Sequence, residues 1–296
     1  MNLKQNNMKK IIVILFALFL LAGCSNENHY SYLSDGDEVL FSGPNTNYTK
    51  NDLYKSMKVS GSNQIASDII DKIALKLDGV DIEAINKEAD ELIETYTSLG
   101  YDSYIIASYG SMETYRKSYV STLLLSELSK AYVNENFETL TADKKPVKMQ
   151  LATFATQEDA EKCLSDVSSG STFDMAAVNN NSTNTPASAV YTDDDTTLAY
   201  EVKDYLNSTD KLGLSSIIVN IATSTDANGN PTETKTYYVL NVESRDVESF
   251  RDELVSLLAT QVSSDDVRNY YLSSHDIQFF DQDLYEIMTS AFEVLG

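Results

Sequence analysis

Val147-Lys148-Met149-Gln150-Leu151-Ala152-Thr153-Phe154-Ala155-Thr156-Gln157-Glu158-Asp159-Ala160 is the stretch on which the fold turns. Residues 149–154 form a short apolar and β-favouring run, which predicts a strand. From Gln157 the period changes: Ala160, Cys163, Leu164 and Val167 recur at three and four, which predicts a helix over 157–167 closed by Ser168-Ser169-Gly170. Lys144-Lys145-Pro146 breaks the pattern just upstream and marks a domain boundary. Downstream, Phe173, Met175, Ala176 and Ala177 predict a second short helix, and residues 198–206 a third. Residues 179–195 are rich in Ser, Thr and Asn and read as a long loop. Residues 216–222 and 236–242 read as strands around the turn cluster Asp226-Ala227-Asn228-Gly229-Asn230-Pro231. The next boundary falls at 244–247, so 147–245 is expected to be one α+β domain.

The flanks read differently. Glu38-Val39-Leu40-Phe41 is a strand candidate stopped by Gly43-Pro44. Thr49 with Asp52 then starts a helix to about Met57 in a capping-box pattern. Ile65, Ile69, Ile70, Ile73, Leu75 and Leu77 predict a second helix, ended by Asp78-Gly79. Asp81 caps a third that ends at Gly100, and a short helix runs over 103–109. Ser111 with Thr114 starts a long fifth to about Val133 or further. Beyond the middle domain, 249–258 and 265–272 read as helices, 277–280 as a strand, and 283–295 as a last helix. Residues 38–145 and 246–296 are thus expected to be mostly helical.

At the start, Lys9-Lys10 precede an apolar run from Ile11 to Leu21, and Leu21-Ala22-Gly23-Cys24 follows. A charged start, an apolar core and small residues before a cut site make residues 1–23 an export signal. The run is too short for a membrane span, which takes about 20 residues. Leu21-Ala22-Gly23-Cys24 resembles the lipobox of bacterial lipoproteins. That resemblance implies that Cys24 is acylated and becomes the new N-terminus, with polar residues 24–37 as a flexible tether. The expected location is the extracytoplasmic face of the cell membrane.

The chain has 22 basic and 45 acidic residues, a net charge of −23; the leader holds three of the basic residues and no acid, so the rest carries −26. That balance excludes nucleic acid as a partner, because phosphate binding needs clustered cations. It also argues against the chain lying flat on anionic lipid. With Cys24 acylated, Cys163 has no intrachain disulfide partner and reads as a small packed residue. The two histidines, His29 and His275, cannot serve a catalytic triad or an HExxH metal motif. Asp193-Asp194-Asp195 lacks the alternating ligands of a calcium loop. No metal and no cofactor is expected.

The order of elements resembles the PrsA family of extracytoplasmic foldases, relatives of the chaperone SurA, over nearly the whole mature chain. Thr49-Lys50-Asn51-Asp52-Leu53-Tyr54 and Tyr109-Gly110-Ser111-Met112-Glu113-Thr114-Tyr115 resemble the family's opening region. Phe154-Ala155-Thr156-Gln157-Glu158-Asp159-Ala160, Gly170-Ser171-Thr172-Phe173-Asp174-Met175-Ala176, Leu214-Ser215-Ser216-Ile217-Ile218 and Thr236-Tyr237-Tyr238-Val239-Leu240 resemble pieces of a parvulin-type prolyl isomerase domain. The resemblance implies a helical chaperone region with that domain inserted, and C-terminal helices packing back on the first part. It also implies where catalytic residues would stand. Leu151 takes the place of the first-strand His and Tyr238 that of the last-strand His, Tyr200 stands near the proline-pocket Phe, and the Gly-rich loop is replaced by the Asn- and Ser-rich segment. The domain is therefore read as a degenerate parvulin.

Client-binding candidates are Met57, Tyr96, Tyr104, Tyr109, Met112, Tyr115 and Tyr119, since Tyr offers apolar area with a polar edge and Met an adaptable surface. Core filling is the competing reading for most of them. The expected function is a membrane-anchored foldase or chaperone for newly exported polypeptides. The expected partners are unfolded chains and, through Cys24, the lipid bilayer; a homodimer is compatible with the sequence. Two readings stay open beside it: an active parvulin-type isomerase, and a solute- or host-binding lipoprotein of unrelated fold.

Overall fold

The structure is a computed structural model that describes residues 33–44, 46–225 and 229–296. The leader, Cys24, His29, tether residues 24–32 and turn residues Asp226, Ala227 and Asn228 lie outside the described residues. The chain divides into two compact units, Met1–Lys72 with Asn269–Gly296, and Ile73–Arg268.

In the first unit, β1 (Val39–Gly43) pairs antiparallel with β2 (Thr46–Thr49), so Gly43-Pro44 turns a hairpin rather than ending a lone strand. Helix α1 (Lys50–Ser60) begins with a full capping box: Thr49 Oγ1 accepts from the Asp52 N–H and Asp52 accepts from the Thr49 N–H. Residues 33–37, the last part of the expected tether, form a turn held onto that helix start by Asn51 N–H donating to the Gly36 carbonyl and by a Lys50–Asp35 ion pair. Helix α2 (Ser62–Ala74) buries Ala66 and Ile70. Helix α12 (Gln282–Ala291) packs against α1. The strand expected at 277–280 does not form. Those four residues pair with no strand among the described residues, and Phe279 instead lies against the Tyr285 ring.

The second unit holds α3 (Ile82–Ser98), α4 (Asp102–Tyr109), α5 (Met112–Glu135) and a short α6 (Phe137–Thr141) that periodicity did not indicate. The caps expected at Asp81 and Ser111 are in place, accepting from the N–H groups of Ala84 and Thr114. Helix α10 (Arg251–Gln261) packs on α5, and Val133, Phe137, Phe250, Leu254 and Leu258 are buried between α5, α6, α10 and the 3-10 turn Val247–Phe250. Helix α11 is Ser264–Ser274.

Between these helices the chain forms an all-antiparallel sheet in the order β4-β3-β7-β5, with β6 also on β7. The strands are β3 (Val147–Phe154), β4 (Ala189–Tyr191), β5 (Gly213–Leu214), β6 (Ile218–Thr225) and β7 (Pro231–Ser244). Strand residues alternate between faces. Met149, Leu240 and Val242 therefore face α9 (Tyr200–Ser208) with Val202 and Leu206, while Ala152, Phe154 and Val239 face α7 (Gln157–Ser168) and α8 (Phe173–Asn179) with Ala160, Cys163 and Phe173. Burying each large apolar side chain contributes about 1.5–3 kcal/mol.

The expectation that 179–195 is loop throughout is corrected by β4. Its register with β3 (Val147↔Tyr191, Met149↔Ala189) is a long-range pairing that three residues of local sequence do not announce. Val190 packs on the α5–α10 cluster and Tyr191 on the α9 cluster, opposite sides of one strand. The Asp193-Asp194-Asp195 run is used locally: Asp193 accepts from Asn207, Asp194 pairs with Lys144, and Asp195 accepts from the Thr197 N–H.

Candidate functional site

An aromatic cluster forms where α3, the Gly100 turn, α4 and the start of α5 meet. Arg116 holds α5 to α3 by donating from Nε to Asp90 Oδ1 at 2.6 Å and from its guanidinium to Asn86 Oδ1 at 3.0 Å. The Asp90 carboxyl is accordingly held below the usual carboxylate value. On that frame the Tyr96 ring lies edge-on to Tyr101 at 5.9 Å and tilted to Tyr115 at 6.0 Å, and Tyr109 meets Tyr115 at 4.8 Å. The Tyr119 hydroxyl donates to Glu88 Oε1 at 2.9 Å. Burial and a hydrogen bond with Tyr96 push the Tyr115 phenol up, and the bond to Glu88 does the same for Tyr119, so both rings are neutral in the physiological range.

The cluster has an inner and an outer part. Tyr96, Met112, Tyr115 and Tyr119 are half-buried. Tyr104 is 71 % exposed and Tyr109 is exposed. Leu99, 63 % exposed, together with Tyr101 and Ile106, adds apolar surface that the candidate set omits. Gly100, at φ +75°, supplies the left-handed turn that places Leu99 and Tyr101 at this corner. The turn was legible in the sequence; the exposure of its neighbours was not. Met57, also exposed, lies on α1 in the other unit.

The second candidate region is the α9 face of the sheet. Leu151 stands opposite Leu240, and Tyr238 stands opposite Thr153 on one side and Ile218 on the other. Leu151 and Tyr238 are therefore diagonal neighbours on one face of adjacent strands, both packed against the Met149–Val202–Leu240 cluster. Burial and the Glu201 carboxylate push the Tyr238 phenol above the ordinary tyrosine value, against a hydrogen bond with Asn220. Neither side chain is a base at neutral pH. Tyr200, at the start of α9, is 75 % exposed and is not among the residues packed on that cluster.

Beyond β4, the β3 edge is closed by side chains of the Asn- and Ser-rich segment. The Thr153 N–H donates to Asn184 Oδ1 at 2.9 Å and Asn184 Nδ2 donates to the Leu151 carbonyl at 2.8 Å, as a neighbouring strand's peptide group would. The Thr183 N–H donates to the Thr153 carbonyl at 2.8 Å.

This is an α+β chain with an antiparallel sheet, and at its start residues 8–25, a stretch that includes Cys24, match the family model described as a prokaryotic membrane lipoprotein lipid attachment site. Among the described residues no helix is long and apolar enough to cross a membrane. Among solved structures the chain is similar to foldase protein PrsA from Streptococcus pneumoniae str. Canada MDR_19A (20 % identity over 85 % of this chain and 98 % of that one, TM-score 0.42). It is also similar to the peptidylprolyl isomerase PrsA from Bacillus cereus (16 % identity, 87 % and 99 % covered, TM-score 0.44) and to PrsA from Bacillus subtilis (18 % identity, 86 % and 99 % covered, TM-score 0.35). Comparison with the curated proteins gives no match.

Proposed function

We propose that the mature chain is a lipid-anchored chaperone of the PrsA type, working on the outer side of the cytoplasmic membrane. It shields apolar stretches of newly exported polypeptides. The helical regions 38–145 and 246–296 are its chaperone part, and 147–245 is a parvulin-like domain with weak or no isomerase activity. The observation that carries this reading is the exposed rim of Leu99, Tyr101, Tyr104, Ile106 and Tyr109 on a hydrogen-bonded helical frame. Neutral rings with a polar edge bind many sequences weakly, and several such contacts acting together hold an unfolded chain without nucleotide. The lipid on Cys24 keeps the rim at the membrane where exported chains emerge.

The X-Pro barrier of about 20 kcal/mol comes from amide resonance, and lowering it takes a desolvating pocket with hydrogen bonds aimed at the twisted amide. At the two family His positions stand Leu151, whose side chain has no polar atom, and Tyr238, whose phenol is held above the ordinary tyrosine value by burial and the Glu201 carboxylate and is no base at neutral pH. The test uses the mature chain with Cys24→Ser, a chemically denatured client and light scattering. Suppression of aggregation is expected, reduced several-fold by Leu99→Ser, Tyr104→Ser and Tyr109→Ser together, and a prolyl-peptide assay of the same protein should run at the uncatalysed rate. Absence of suppression, or a triple variant equal to the parent, refutes the chaperone reading. Catalysis well above background restores the isomerase.

A further inference from the structure

Along β3 and beyond it the two edges of the sheet are treated differently, and where the β6–β7 ribbon runs on past β3, the β7 side carries Pro231, Glu233 and Lys235. On the β3 side, β4 and then Asn184 and Thr183 satisfy the backbone. On the other side, β6 pairs with β7 through eight consecutive positions, Ile218↔Tyr238 to Thr225↔Pro231, with no register shift. Among the described residues no other backbone group pairs with its outer edge. Edge strands are usually guarded by charge, Pro, a bulge or shortness. Ile218-Val219-Asn220-Ile221-Ala222-Thr223-Ser224-Thr225 has no charged residue and no Pro, and it is longer than an average strand of about 5–6 residues. Val219 and Ile221, the latter 52 % exposed, alternate along it and put apolar side chains on one face of the open edge.

We propose that the outer edge of β6 binds an extended segment of an unfolded polypeptide as an added strand. In the free molecule water satisfies the N–H and C=O groups of this exposed edge, and among polypeptide partners an extended backbone matches their strand spacing along its whole length. Val219 and Ile221 select a segment whose apolar residues alternate. The charge of the molecule selects further: an uncharged edge on a mature chain of net −26 draws in segments flanked by Lys or Arg and repels acidic ones. The same charge disfavours a second copy as the occupant, since edge-to-edge pairing brings two −26 molecules together. This rests on the chaperone reading and adds to it a binding mode distinct from the aromatic rim: backbone pairing with little demand on sequence.

The experiment uses the Cys24→Ser mature chain and a ten-residue probe peptide alternating Val with Thr, with Lys at both ends. Binding is followed by fluorescence anisotropy and by amide hydrogen exchange. Expected are slowed exchange of β6 amides on adding peptide, affinity about ten-fold weaker in Ile221→Lys, and loss of binding for one of the two alternately N-methylated peptides. Ile221 is exposed, so the Lys variant should fold; its unchanged thermal midpoint is the control. Three results overturn the proposal: equal binding by parent and variant, no effect of either N-methylation register, or protection confined to residues 96–119. A dimer in sedimentation that Ile221→Lys abolishes would also overturn it, by making a second copy the occupant. If aggregation suppression persists in a chain that does not bind the peptide, this inference falls and the chaperone reading stands; peptide pairing without suppression is the reverse case.

Discussion

Replacing Lys58 by Met should destabilise the unit that contains α1 and α12 by about 3 kcal/mol. The Lys58 side chain is 7 % exposed, and its ammonium donates to Asp281 Oδ1 and Oδ2 at 2.7 and 2.9 Å and to Asp283 Oδ2 at 3.4 Å. It also lies 4.1 Å from the Tyr54 ring centroid, a cation–π contact. Asp281, 16 % exposed, is the N-cap of α12 and accepts from the Leu284 N–H at 2.8 Å. Removing one member of a buried pair costs about 3–5 kcal/mol, mostly because the other charge is stranded. The low end applies here, since Asp281 keeps its cap hydrogen bond. Burial alone would raise the Asp281 carboxyl, but the hydrogen bond and charge of Lys58 outweigh it and hold it below its ordinary value. Burial likewise works to lower Lys58, and Asp281 and Asp283 outweigh it to leave it raised. The depressed acid contributes stability above its unfolded value and loses it as pH falls through the folded one. The raised amine contributes below its unfolded value and loses it as pH rises through the folded one. The difference between parent and variant should therefore be full from about pH 5 to about pH 10 and shrink on either side. The assay is native-state amide exchange of α1 and α12 with increasing urea, which reads this unit separately from the other. A difference under about 1 kcal/mol at neutral pH, or one that persists unchanged down to about pH 2, would refute the reasoning.

Two further outcomes are expected. Asn184→Ala removes two hydrogen bonds from the β3 edge and should cost about 1–3 kcal/mol, with faster exchange of the Thr153 amide; unchanged exchange would mean that the carboxamide does not close that edge. Cys163 is fully buried, and burial, followed by the nearby Asp166, pushes its thiol up to about 11. It should resist iodoacetamide at pH 8 in the folded protein and react once urea unfolds it; alkylation of the native chain would show that the α7 face is open.

Signals spanning only a few residues of chain could be read directly from the residue order. The caps at Thr49, Asp81 and Ser111 were legible because donor and acceptor are three positions apart. The change of period at Gln157 placed strand and helix for the same reason, and the lipid-attachment signal is contiguous. Tertiary structure alone decided the rest. Strand β4 exists because Val147 and Met149 offer partners some forty residues upstream, and 277–280 is not a strand because no strand among the described residues pairs with it. Asn184 looks like one polar residue in a polar loop until the fold sets it beside Leu151 and Thr153. The aromatic residues named at the outset divide into inner and outer only once α3, α4 and α5 pack, and the open edge of β6 is invisible until the other edge is seen to be closed. Local signals are carried by covalent neighbours, whereas pairing, burial and exposure depend on which distant segments the folded chain brings within hydrogen-bond and van der Waals reach.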